Sequence, residues 1–493
     1  MSDHAHKIEA SSGSHRAPAA PSIKEIDQSC ALPVLALFKG AVLWLLLASV
    51  FGWMSAIKMH VSVFLAESAW LTFGRVYPAA LNLFVYGFVI PVGLGLALWI
   101  FARMGRVRLQ NPLVVILGAV GWNIGVAFGV IGILGGASSG QPWLEMPASV
   151  APLMLASYLL IALGAANTFR ARTERSLYPA QWHLLAALLW FPWIYSTAHL
   201  LLSYFPVRGV MQVVVNGWYH QNLILVLSAL IGLATLYYLI PKSIGRPLWS
   251  GPLAAFSFWT LLLFGSWGGV HAGMPVPRWM GELSVFTGAM MLVPVFAVAL
   301  NLHKTFQGSY RLLRKDPVLV CAFLGFGCYL LASTLGVVGR FPVLREQTTF
   351  TLYFEAVSNM FLYGFLGLTL LGALYHVVPA LTDVEWPAPG LVQVQIGLAA
   401  LGAFLASIPL FPAGYFVLQA LAHPEIVLNG DSAGTSLVFL GVATLGRLFI
   451  MLACLIFAAS FFRQLLRYCL ACCSGNWSRN ASSTPAATAS SRA

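Results

Sequence analysis

The sequence predicts an all-α polytopic membrane protein with twelve transmembrane helices. Three observations predict it. Of 493 residues, 59% are hydrophobic and only 9% charged, with a mean hydropathy of +0.82, too apolar to cover a water-soluble globule with polar surface. Apolar runs of about 20 residues, the length that crosses a hydrocarbon core as a helix, recur along the chain. Backbone groups have no water partner in lipid, so these runs are expected as helices. Finally, Lys and Arg alternate in abundance between successive loops, as the positive-inside rule requires.

The elements follow in order. A polar tail, residues 1–33, precedes the first apolar run without a small-residue cleavage signal, so no secretory signal peptide is read. Spans are placed at 34–57 and 80–103, before a loop carrying Arg106 and Arg108, then at 112–135 and 148–169, before Arg170, Arg172 and Arg175. Spans 182–204 and 219–240 lead to Lys242 and Arg246, and spans 252–272 and 282–302 lead to Lys304, Arg311, Arg314 and Lys315. Spans 317–340, 351–378, 392–415 and 435–463 complete the 34–468 domain. A Ser-, Ala- and Thr-rich tail, 469–493, lacks an apolar face and is expected to be disordered. Of 27 basic residues, twenty fall on the side of the termini and six opposite them (Lys58, Arg75, Arg208, Arg278, Arg340, Arg345), leaving Arg447 inside a span. Both termini are therefore expected in the cytoplasm. The formal charge of +12 reads as this orientation signal, and no nucleic-acid partner is implied. Seven cysteines show no spacing suited to a disulfide framework or zinc ribbon.

Three stretches carry a family resemblance: "WLTFGRVYPAALNLFVYGF" at 70–88, "LYYLIPKSIGRPLWSG" at 236–251 and "FLGLTLLGALYHVVPAL" at 365–381. In order, helix number and spacing they resemble subunit I of the haem-copper terminal oxidases, specifically the cbb3-type cytochrome c oxidase. The resemblance covers most of 34–470 and implies a twelve-helix bundle in a bacterial cell membrane. It also implies six histidines: one on helix two and two on helix ten for the haems, and one on helix six with a pair on helix seven for copper. Residues two apart on a helix point about 200° apart, so one helix can serve a haem on each side, and imidazole suits both metals.

Counting from the anchors, the helix-two position falls on Ala80, the helix-six position on Gln221, the helix-seven pair on Gly269 and Val270, and the helix-ten positions on Val357 and Asn359. None is histidine. His220 and His271 each lie one residue from a copper position, but a one-residue slip turns a helical side chain by about 100°. They are weak ligand candidates, and hydrogen-bonded histidines in polar pockets are the preferred reading. His376 lies near the opposite end of helix ten from Val357, His199 in the outer half of helix five, and His183, His303 and His423 at helix ends or loops. Cysteines in "CLACC", 469–473, read as interfacial.

Arg447, about 12 residues into the last span, must face the bundle interior. Glu355 is its expected partner, with a haem propionate or another anion as the alternative. The preferred function is an oxidase subunit I fold without haem or copper centres, serving as a scaffold or accessory subunit beside other respiratory-complex subunits. A terminal oxidase or nitric oxide reductase with relocated ligands, holding haem b and copper, is the first alternative. An ion or small-solute conduit through Glu355, Arg447, His220 and Gln221 is the second.

Overall fold

A computed structural model describes residues 21–270, 274–422 and 431–473, and among them every regular element is helical. Eleven helices are long and apolar enough to cross a membrane. They are α1 (Ile23–Lys58), α2 (Phe73–Gly105), α3 (Pro112–Gly135), α4 (Ala148–Arg170), α5 (Pro179–Tyr204), α6 (Val210–Ile244), α8 (Arg278–Phe306), α9 (Pro317–Val338), α10 (Tyr353–Thr382), α11 (Pro389–Ala420) and α12 (Ser436–Cys473). The twelfth apolar segment is a shorter helix, α7 (Gly251–Gly265).

The span expected at 252–272 is therefore present only as this shorter helix among the described residues. At about 1.5 Å per residue α7 reaches roughly 22 Å, short of a ~30 Å hydrocarbon core. The chain leaves the helix in "GSWGG", where glycines favour irregular backbone and Gly269 takes φ +104°. Helix ends shift elsewhere too. Residues 23–33, expected in the tail, are helical, because Ser22 Oγ accepts from the Glu25 N–H and Glu25 sits in the first turn. At the far end the last helix continues through Cys473.

The first turns of α1 are polar because they face partners. Asp27 accepts from Arg103 (2.8 Å) and from the Trp99 indole (2.8 Å), and Arg108 reaches Glu25. These contacts fasten α1 to α2 at the end of the bundle where α1 begins and α12 ends, the terminal face.

Three helices form the centre. The most apolar stretch is 100% buried in α2 and 94% buried in α6 and α10, whereas every other span buries half or less of its own. Each central helix contains a π-helical segment: Leu83–Val89, Asn222–Ser228 and Met360–Gly367. Such wide turns rotate everything beyond them and recur at functional sites. Here each begins within four residues C-terminal to a position that the sequence singled out. Close packing of these helices on one another and on α1 relies on missing side chains: a Cβ on Gly232 would lie 2.3 Å from the Phe365 ring of α10, and one on Gly87 would lie 2.5 Å from Trp44 of α1.

Candidate functional site

The sequence-selected positions gather at two places in the half of the bundle away from the terminal face. The first lies between α2, α10 and α12. Ala80 is 2% exposed and contributes only a methyl group. Asn359, 3% exposed, has both ends of its carboxamide engaged. Its Nδ2 donates to the Ala406 carbonyl (3.1 Å), in the turn that interrupts α11, and its Oδ1 accepts from Arg447 Nη2 (2.7 Å). Arg447 lies 3.7 Å from Glu355 Oε1, and its guanidinium stacks 4.2 Å from the Tyr363 ring centroid. The Tyr77 hydroxyl donates to Glu355 Oε2 (2.7 Å).

The structure thus brings Glu355 and Arg447 together, but the shorter contact is with Asn359, which the sequence singled out only as a ligand position. Tyr77 and Tyr363 escaped sequence reading altogether. Helices α2 and α10 also touch through Phe84 and Tyr363, with ring centroids 4.9 Å apart. Beside the ion pair, Ser55, Tyr77, Glu355, Asn359, Thr444 and Arg447 line a cavity of about 20 Å³, room for about one water.

The second place lies between α6, the irregular segment after α7, and the end of α9. Gln221 is 3% exposed, and its Oε1 accepts from Arg340 Nη1 (3.2 Å) while its Nε2 has no hydrogen-bond partner among the described residues. Burial pushes the Arg340 guanidinium below the usual arginine range. Gly269 and Val270 do not stand on a helix at all. Gly269 packs so tightly on α6 that a Cβ there would lie 2.2 Å from the Gly217 carbonyl oxygen. The His220 ring sits against Trp143, centroids 5.6 Å apart and tilted. Val357 faces Gly336 of α9. His271 lies outside the described residues, as do His4, His6, His15 and His423.

His60, just past the end of α1, has Nδ1 3.1 Å from the Ala56 carbonyl and 3.4 Å from the Thr444 hydroxyl, and the other described histidines are dispersed. His183 is bonded through Nδ1 to the Pro179 carbonyl, His199 packs against Tyr195, His303 meets the Tyr310 hydroxyl, and His376 lies against Trp99 and Tyr238 near the terminal face. Among the described residues no three His, Cys, Asp or Glu side chains converge as a metal set.

Residues 33–462 match the family model for cytochrome c and quinol oxidase polypeptide I. The chain belongs to that family. This oxidase-family protein is 25% identical over 396 residues to a cytochrome c oxidase subunit 1 homolog of Azorhizobium caulinodans, covering 77% of this chain and 71% of the relative. It is 23% identical to the cbb3-type cytochrome c oxidase subunit CcoN1 of Stutzerimonas stutzeri, covering 68% and 73%. Its fold is similar to that of a haem-copper terminal oxidase dimer seen by cryo-EM, with TM-score 0.66 and 16% identity over 90% of this chain and 84% of the other.

Within this haem-copper oxidase subunit I-like membrane protein, the two places gather residues that the resemblance led one to expect at haem and copper positions. The side chains present do not suit those groups. Ala80 and Val357 carry no donor atom, the Asn359 carboxamide is already bonded at both ends, and Gln221 holds a guanidinium. At each place a carboxamide on a central helix accepts a hydrogen bond from an arginine of another segment.

Proposed function

We propose that this oxidase-family chain has given up its haem and copper centres and serves as a scaffold or accessory subunit of a respiratory complex. Its place is the cytoplasmic membrane of a bacterium, with both termini inside. One observation carries the reading: Asn359 and Gln221, two positions that would ligate metal, instead hold Arg447 and Arg340. A fixed guanidinium beside a ligand position repels a metal cation. Two unit charges 4 Å apart interact by about 4 kcal/mol at an effective dielectric constant near 20. The pairing also stabilises the chain without a metal, since each arginine gains a hydrogen-bond acceptor and each carboxamide an ionised donor. The remaining features suit a framework role: three buried central helices, ring contacts between α2 and α10, and an ion pair tying α10 to α12.

The test is a pyridine haemochrome spectrum and metal analysis of the purified chain, with oxygen consumption measured on the same sample. The expected result is no stoichiometric haem or copper, no oxygen reduction by the chain alone, and co-purification with other membrane subunits under mild detergent. About one haem per chain, lost on His220→Ala or His271→Ala, would establish relocated ligation and overturn the reading.

A further inference from the structure

Among the described residues, Gln221 Nε2 is a donor with no hydrogen-bond partner. The residue is 3% exposed, and a buried polar donor left unpaired is costly. Its oxygen already accepts from Arg340, so the amide is oriented with the nitrogen turned toward the Gly268 side of the segment after α7. A Cβ on Gly268 would lie 2.7 Å from that nitrogen. Arg340 offers five N–H donors, and no ion pair among the described side chains uses it. Nor does any hydrogen bond among the described residues use the backbone N–H of Gly268, Gly269 or Val270. Among the described side chains, the donors of Arg340 and Gln221 meet here without a carboxylate beside them. Irregular backbone at membrane depth is tolerated where it is buried in protein or lines a polar cavity, and unwound segments of this kind serve ion binding in other membrane folds.

We infer that Arg340, Gln221 Nε2 and the Gly268–Gly269 backbone form a binding site for a small monovalent anion that enters from the face opposite the chain ends. One guanidinium balances one negative charge, and the close approach of Gly269 to Gly217 restricts the site to a small ion. The site rests on the reading above, because it occupies the copper position. It differs from the Arg447 site, where Glu355 already supplies the counter-charge.

The test uses the purified full chain in gluconate buffer at constant ionic strength, titrated with sodium chloride, sodium nitrate or sodium sulfate. Equilibrium dialysis with radioactive chloride measures binding, and intrinsic fluorescence follows the thermal midpoint. The expected result is saturable chloride or nitrate binding near one per chain with a rising midpoint, as ligand linkage requires, and little response to sulfate. Arg340→Gln should weaken binding roughly tenfold or more, the loss of a charge-assisted contact. Gln221→Glu, which places a carboxylate of similar shape beside Arg340, should abolish binding while leaving the anion-free midpoint unchanged or higher. That variant keeps the test decisive if Arg340→Gln folds poorly. No saturable binding, or binding and midpoint shifts shared equally by sulfate and by both variants, would mean an adventitious ion only and overturn the inference. Copper content of the same sample is read separately. Copper near one per chain overturns the scaffold reading, while chloride binding lost in Gln221→Glu with no copper present sustains the anion site.

Discussion

Replacing Arg447 by Met keeps a long apolar stem and deletes the guanidinium, so the loss falls on three contacts. The 2.7 Å donation to Asn359 is a hydrogen bond from a charged group, about 1.5–3 kcal/mol. The stack on Tyr363 at 4.2 Å contributes about 1–2 kcal/mol when desolvated. Breaking a buried ion pair costs about 3–5 kcal/mol, but this pair is long at 3.7 Å and the Glu355 side chain is 23% exposed. Glu355 also retains the Tyr77 hydroxyl, so its share should be about 1 kcal/mol. Removing a guanidinium that is costly to desolvate offsets part of the sum, leaving an expected net loss of about 3 kcal/mol. The structure therefore ranks the couplings. A double-mutant cycle of Arg447→Met with Asn359→Leu should give a larger interaction energy, about 2 kcal/mol, than the cycle with Glu355→Gln, about 1 kcal/mol. The assay is equilibrium unfolding in mixed micelles followed by tryptophan fluorescence. Additivity within about 0.5 kcal/mol in the Asn359 cycle, or a larger coupling to Glu355, would refute the reasoning.

Restoring histidines at the first place, as Ala80→His with Asn359→His, should yield no b-type haem spectrum while Arg447 remains, because the guanidinium occupies the ligand position. Stoichiometric haem in that double variant would show that Arg447 is no barrier. Gly446→Ala should destabilise by about 1–3 kcal/mol, since a Cβ there would lie 2.3 Å from the Ala406 backbone nitrogen and 2.5 Å from the Leu405 carbonyl carbon, atoms that cannot swing aside. A normal thermal midpoint would contradict that packing of α11 on α12. Reporter fusions at residues 141 and 310 should place the first outside the cell and the second in the cytoplasm, and finding both on one side would overturn the orientation.

Much of this protein is local information, and the sequence determined it. Apolar runs mark helices because crossing lipid requires length and self-satisfied backbone, and helix-six and helix-ten anchors made the ligand positions countable down to Gln221 and Asn359. The interior position of Arg447 was legible too, since a charge inside a span has to face protein. Where such counting failed, a short-range feature competed with hydrophobicity. Glycines ended α7 at Gly265 although the apolar run continues, and the Ser22 cap drew a polar stretch into α1. The meaning of the carboxamides was decided only by tertiary structure. Asn359 meets Arg447 across 88 positions of sequence, and Gln221 meets Arg340 across 119. No periodicity encodes such pairings, because they depend on how each helix is rotated, including by the π turns beside these positions, and on which neighbours packing brings within hydrogen-bond reach. Arg340 shows the difference most clearly: in sequence it is one of six basic residues opposite the termini, and in the folded chain its guanidinium bonds Gln221 because α9 ends beside α6.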